Sequence, residues 1–164
     1  MIAAPAVVTD RSVRSLGAND VERVIAIDAA HSGHARRRFF EKRFAAAAVQ
    51  PEDYIHLGVT RGSALRGFVI ARVLRGEFGQ EHAVAVLDAI GVEAESRERG
   101  IGQSLMEELG KIMRQRGVRS LQSQADWTNY DLLRFFHAAG FELSPRLALQ
   151  RPVNEPLVEP SEDV

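Results

Sequence analysis

Apolar positions along this chain change period several times, and each change marks an element. Ile101, Leu105, Leu109, Ile112 and Met113 recur at helical spacing, with Glu107, Glu108, Lys111 and Arg114 on the other faces, which predicts an amphipathic helix. The run just before it, 84–92, is rich in β-branched residues and reads as a strand. Nearer the start, residues 12–16 form a first strand, and Gly17-Ala18-Asn19 turn into a helix made one-sided by Val21, Val24, Ile25, Ile27 and Asp28. A second helical segment, 36–49, sets Phe39, Phe40 and Phe44 on a face with Arg36, Arg37, Arg38, Lys42 and Arg43 around it. Residues 54–60 alternate like a strand, Arg61-Gly62-Ser63 turn, and 65–74 return as the hairpin partner. A short strand, 118–125, is opened by the helix-stopping Gly117; Asp126-Trp127-Thr128-Asn129 then supply turn and N-cap chemistry for a helix over 130–139. Gly140-Phe141 end that helix, and two short apolar runs separated by Ser144-Pro145 follow as closing strands.

The predicted order is therefore β-α-α-β-β-β-α-β-α-β-β. Antiparallel runs followed by strand-helix-strand argue for an α/β (α+β) fold: a mixed, mostly antiparallel sheet with helices on both faces. At 164 residues with 45% hydrophobic content, one domain with a full core is expected, over 12–152. Residues 1–11 read as a flexible N-terminus and 153–164 as a flexible acidic tail. A formal charge of −1 gives no overall field toward nucleic acid or anionic membrane. No apolar run reaches the roughly 18 residues of a membrane span, and residues 1–10 lack the basic start of a secretion signal. With no cysteine, disulfides, thiolate metal sites and an acyl-cysteine intermediate are excluded. A cytoplasmic location fits.

The strand-to-helix junction at Arg97-Glu98-Arg99-Gly100-Ile101-Gly102 carries the clearest chemistry. Glycines there let backbone N–H groups close on an anion, and the helix N-terminus adds partial positive charge, so a phosphate or pyrophosphate is the natural guest. A Walker loop would need Lys-Ser/Thr after Gly102, where Gln103 and Ser104 stand. A dinucleotide fingerprint would need Gly or Ala at Leu105. The pattern Gln/Arg-x-x-Gly-x-Gly/Ala fits in full through Arg97, Gly100 and Gly102. It resembles the acyl-CoA pyrophosphate loop of the GNAT superfamily of N-acetyltransferases. Asn129 followed by Phe135-Phe136-His137-Ala138-Ala139-Gly140-Phe141 resembles the family's closing Asn…(aromatic)-x-x-x-Gly-Phe signature, and the order of elements agrees over about 54–152.

The resemblance implies a cofactor, acetyl-CoA, and a sheet in which two parallel strands, here 83–93 and 118–125, splay apart around the pantetheine arm. It implies that the backbone of Glu98, Arg99, Gly100, Ile101, Gly102 and Gln103 holds the pyrophosphate, with Arg97 or Arg99 adding charge. Backbone N–H groups near Ile90 and Val92, at a bulge expected around Gly91, would polarise the thioester. Asn129 and Phe136 complete the expected cofactor contacts. Asp88 is the favoured base, directly or through a water, on the reading that 88, 90 and 92 share one strand face; pairing with an arginine is the alternative. The glutamate that some members use stands two positions earlier, where this chain has Val86. Many members place a tyrosine at position 136 to protonate the leaving thiolate, and Phe136 has no proton to give.

The implied activity is direct attack of a primary amine on acetyl-CoA in a ternary complex. The alternative is an acyl-CoA-binding sensor or regulatory module, motivated by Phe136. The acceptor class stays open between a small-molecule amine and a protein or peptide amine; no nucleic-acid or membrane partner is expected, and edge strands near the C-terminus admit a homodimer. His31 and His34 lack further ligands of a recognisable pattern, so no metal is expected. His137, Trp127 and Ser104 read as structural or solvated. The basic run at 36–43 reads as a solvated helix face, although in the family this helical pair lines the acceptor cleft.

Overall fold

The computed structural model describes residues 11–79, 81–97 and 100–154. Nearly all of the expected loose N-terminus and acidic tail lies outside the described residues, as do Glu98 and Arg99 of the glycine loop. Contacts divide the chain into two compact units, one running to Asp126 and one starting at Trp127.

The first unit is a five-stranded sheet in chain order: β1 (Arg11–Ser15), β2 (Tyr54–Arg61), β3 (Ala64–Leu74), β4 (Val84–Val92) and β5 (Ser120–Gln122). The first four strands are antiparallel neighbours, and β5 joins β4 in parallel. Three helices accompany them: α1 (Val21–Ser32), α2 (Arg37–Val49) and α3 (Ile101–Gln115).

Alternation along β3 sorts the helices onto two faces. Phe68 and Ile70 pack with Val24, Ile25 and Ile27 of α1 and with Phe40 and Phe44 of α2. Gly67, one residue away, faces α3: a Cβ there would meet Ile101 Cγ2 at 2.7 Å. The buried stripe of α3 is Ile101, Leu105 and Leu109, the first three positions of its apolar period. Phe40 and Phe68 meet edge to face at 5.7 Å, the geometry favoured by ring quadrupoles.

Two features of β4 differ from expectation. Its bulge is not at Gly91. The register with β3 steps from Ile70↔Ala89 to Ala71↔Leu87, so Asp88 is the extra residue. Gly91 pairs regularly with Phe68, and its role is close approach: a Cβ would lie 2.7 Å from Phe68 Cε1 and 3.3 Å from Ile27 Cγ2. The bulge also breaks the face shared by 88, 90 and 92. Val92 and Ile90 oppose Gly67 and Val69 on the α3 face, whereas Asp88 reaches Arg43 of α2 and Arg72 of β3 on the other.

The parallel ladder is short. Only Val84–Val86 pair with Ser120–Gln122, and Ser123 Oγ donates to the Leu87 carbonyl at 3.1 Å just beyond. β5 is thus shorter than the expected 118–125, while β4 runs on for six residues to Val92.

The second unit contains α4 (Tyr130–Ala138). The two closing strands expected after Phe141 do not form among the described residues, which carry no strand beyond α4. Leu143, Leu147 and Leu149 are 100%, 88% and 89% exposed, so nothing buries the apolar alternation that suggested strands, and Pro145 has no N–H to give a ladder. No helix among the described residues is long and apolar enough to cross a membrane.

Candidate functional site

After Val92 the chain makes a single turn of 3-10 helix, Ala94–Ser96, passes Arg97, and re-enters at Gly100. Gly100 is the N-cap of α3 at φ 71°, a left-handed conformation that disfavours side chains. No side chain caps this helix, and its ladder begins with Ser104 N–H donating to Gly100 O at 3.0 Å. The N–H groups of Ile101, Gly102 and Gln103 lie ahead of that first bond, in the position where a helix N-terminus receives an anion.

A cation that the sequence did not suggest sits here. Arg11 Nη1 approaches Ser104 Oγ at 3.5 Å and lies 3.7 Å from where a Gly100 Cβ would be. The reading of 1–11 as a loose terminus hid it; only the pairing of Arg11 with Arg61 in the sheet brings it to the loop.

Arg97, expected to add charge, is otherwise engaged. Its Nη2 donates to His31 Nδ1, and His31 Nε2 donates to the Val92 carbonyl at 2.5 Å. Next to it, the Glu93 carboxylate accepts from Arg66 at 2.5 Å and from Arg23 of α1. Hydrogen bonds from Arg66 and then from Arg23 outweigh the desolvation that opposes them and hold the Glu93 carboxyl below its ordinary range.

Asp88 lies in the second cluster. Its side chain is 7% exposed and receives a bidentate pair from Arg72, Nε to Oδ2 at 2.6 Å and Nη2 to Oδ1 at 2.9 Å. Arg43 Nε is 2.8 Å from Oδ2 but is not aligned to donate, which leaves that buried N–H without a hydrogen bond. The pairing with an arginine weighed from sequence is present, and twice over. Arg72 is pushed above its ordinary value chiefly by its hydrogen bond to Asp88. His56 of β2 completes the cluster, its ring 4.8 Å from Phe44 and 5.7 Å from Tyr54. Neither ring nitrogen has a partner, and burial drives its pKa down to about 4, Asp88 pulling it up and Arg43 lowering it further. Arg72 and Tyr54 open onto a cleft of about 310 Å³ that is also lined by Gln50, Asp53, Arg75 and Glu77.

The basic run of α2 is largely neutralised within the fold. Arg36 pairs with buried Asp28, Arg37 with Glu22 and Glu41, and Arg43 with Asp88. Arg36 and Arg43 also cover the Phe39 ring, at 5.0 and 5.1 Å.

In the second unit, Asn129 Oδ1 caps α4 by accepting from Leu132 N at 3.2 Å. The closing aromatic-x-x-x-Gly-Phe stretch is a complete Schellman cap. Phe141 N–H donates to Phe136 O at 2.9 Å, Gly140 N–H to His137 O at 3.0 Å, and the Phe136 and Phe141 rings meet at 4.7 Å. Phe136, 7% exposed, is thus fixed by the helix end it closes. Ile90 and Val92 are half-buried on β4. Among the described residues no three His, Asp or Glu gather as a metal site.

Residues 21–141 match the sequence model of the Acetyltransferase (GNAT) family. No curated protein sequence matches the chain. Among solved structures, a transcriptional regulator from Bacillus halodurans C-125 is 17% identical with a TM-score of 0.73, covering 87% of this chain and 99% of that one. AAC(6')-Iy, solved in complex with the bisubstrate analogue CoA-S-monomethyl-acetylneamine, is 18% identical with a TM-score of 0.69 over 87% of this chain and 97% of that one. The aminoglycoside antibiotic 6'-N-acetyltransferase AAC(6')-Ih from Acinetobacter baumannii is 16% identical with a TM-score of 0.70, over 87% and 97%. At these identities the likeness is one of fold.

Proposed function

This chain belongs to the acetyltransferase (GNAT) family, and from that membership we propose that it moves an acetyl group from acetyl-CoA to a primary amine by direct attack in a ternary complex. One observation carries the reading: the β4–β5 ladder stops at Val86 and Gln122, while β4 continues to Val92 and leads into an uncapped helix N-terminus. An extended arm ending in a pyrophosphate matches a strand edge that ends in anion-seeking N–H groups.

In this reading the backbone of 98–103 holds the pyrophosphate, Arg99 adds charge as the resemblance implies, and Arg11 supplies a second cation beside Gly100. Backbone N–H groups of Ile90 and Val92 polarise the acyl carbonyl, and Asn129 and Phe136 of the second unit are assigned to the cofactor by the family resemblance alone. Acetyl-CoA, when bound, supplies an activated acyl group. The bulge turns Asp88 toward α2, the side on which the family admits its acceptor, and the cleft beside Arg72 is the acceptor's approach. Because Arg72 already occupies one position on each Asp88 oxygen, a proton leaving the amine reaches Oδ1 through a water. Preorganised N–H donors at the developing oxyanion contribute about 3–4 kcal/mol to such a reaction.

Calorimetric titration with acetyl-CoA, followed by thiol release with aminoglycosides, amino acids and peptides as acceptors, tests this. Binding with release from one acceptor class supports the enzyme and names its substrate. Gly102→Val should weaken binding tenfold or more, on the order of one blocked anion site, with melting near wild type; Gly100→Val, forced to φ 71°, should weaken binding and also cost about 1–3 kcal/mol of stability. Absence of binding by the unaltered chain would falsify the assignment. The sensor reading is favoured by one fact, Phe136 standing without a hydroxyl inside a helix cap; binding without release from any amine would select it.

A further inference from the structure

We infer that His31 is a positioning residue for the cofactor loop, and that Arg97 serves this loop by donating a hydrogen bond to His31 rather than by presenting charge to a phosphate. The inference rests on the reading above that 98–103 hold a pyrophosphate. Its first support is the geometry of one imidazole. Nε2–H reaches back to the carbonyl of Val92, the last residue of β4, and Nδ1 accepts from the guanidinium of Arg97, the first residue of the loop. A ring that donates at one nitrogen and accepts at the other is a neutral Nε2–H tautomer, and both of its hydrogen-bonding positions are used. The strand end and the loop start are therefore tied to one side chain in the last turn of α1.

A second tie lies four residues before Arg97. Arg23 of α1 and Arg66 of β3 both bind the Glu93 carboxylate, and Glu93 N–H donates to Arg66 O at 2.8 Å. The connection from β4 to the loop is thus held against α1 at Glu93 and again at Val92 and Arg97. A path fixed before the ligand arrives spares the ordering cost that binding would otherwise include.

The third support is chemical. Arginine and glutamine differ in charge but share an N–H donor at the end of a long, flexible stem, and here the acceptor within reach of position 97 is His31 Nδ1. His31 also lies on the helix that packs over the Asp88 face of the sheet.

The test is a set of acetyl-CoA affinities by calorimetry, with melting temperatures as a control. Arg97→Gln should bind within about twofold of the unaltered chain, with an unchanged salt dependence. Arg97→Met and His31→Phe should each weaken binding about five- to tenfold, the scale of one exposed hydrogen bond to a charged group. The double variant His31→Phe/Arg97→Met should be no weaker than either single one, because both remove the same bond. His31→Gln, whose amide still donates and accepts, should recover most of the loss. In the ligand-free protein, imidazole nitrogen resonances should report Nδ1 unprotonated and hydrogen-bonded, and Arg97→Met should shift them. Arg97→Gln losing as much as Arg97→Met, with a shallower salt dependence, would overturn the inference in favour of direct phosphate contact. Additive losses in the double variant would overturn it too. Failure of the unaltered chain to bind acetyl-CoA at all would instead remove the reading on which it stands.

Discussion

His56 gives the structure its sharpest dependence on pH. The ring is 7% exposed, wedged between Phe44 and Tyr54, and neither nitrogen has a partner. Burial takes its pKa from 6.5 to about 4. An unfolded chain therefore binds a proton at this position before the folded one does, and stability is lost as pH falls from 6.5 toward 4. At 1.36 kcal/mol per unit, the loss is about 2 kcal/mol near pH 5 and about 3 kcal/mol near pH 4. For a chain of this length that is about 4–8 °C of melting temperature at pH 5. Replacing the ring by phenylalanine keeps the aromatic contacts and removes two stranded nitrogens, so His56→Phe should be at least as stable near pH 8. The assay is urea unfolding of both proteins at half-unit steps from about pH 8 to pH 4.5. Glu93 and Asp20, both lowered by arginine hydrogen bonds, add acid sensitivity to the two proteins equally, and the difference between the curves isolates His56. The difference should open below pH 6.5 and reach about 2 kcal/mol near pH 5. Parallel curves would refute the reasoning, since they mean the folded ring titrates as freely as the unfolded one.

Three further outcomes follow from contacts described above. Gly91→Ala drives a Cβ into the Phe68 ring and should cost about 1–3 kcal/mol in denaturant unfolding; an unchanged midpoint would show that the ring has room to withdraw. Asp88→Asn leaves Arg72 and Arg43 facing one another without a carboxylate, and should cost about 1–3 kcal/mol, less than a fully buried pair because Arg72 keeps 28% exposure. Adding Arg72→Met should recover part of that stability and none of the turnover, and recovery of both would make Asp88 purely structural. Phe136→Ala removes the apolar contact that closes the Schellman cap and should cost about 3 kcal/mol, read as faster amide exchange over α4; exchange unchanged over α4 would place the ring's importance elsewhere.

Much of this was legible in the residues because burial follows period. Ile101, Leu105 and Leu109 announce α3, Val24, Ile25 and Ile27 announce the inner face of α1, and Asn129 caps α4 as its type suggests. The bulge was not legible. A one-residue slip at Asp88 leaves no mark in a strand that is apolar on both sides of it, yet it reverses the face to which the carboxylate belongs. Nor could spacing announce the Arg43–Asp88–Arg72 cluster or the His31–Arg97 bond, whose members lie on separate elements far apart in the chain. The closing runs fail for the opposite reason. Their alternation is plain, but a strand exists only with a partner, and Leu143, Leu147 and Leu149 find none among the described residues.

The sheet whose strands lie in chain order has a consequence for how the molecule is made. From Tyr54 to Val92 each new strand lies beside the one before it, joined by short turns, so those pairings close small loops at little entropic cost. β1 and β2 are separated by α1 and α2, and β5 requires a crossover through the whole of α3 before its three residues can pair. On a ribosome, the β2–β4 meander can assemble as it emerges, and the parallel edge of β4 is completed last. The portion that reads as cofactor-binding is thus built onto a sheet already formed, and substitutions there should burden late folding more than early collapse.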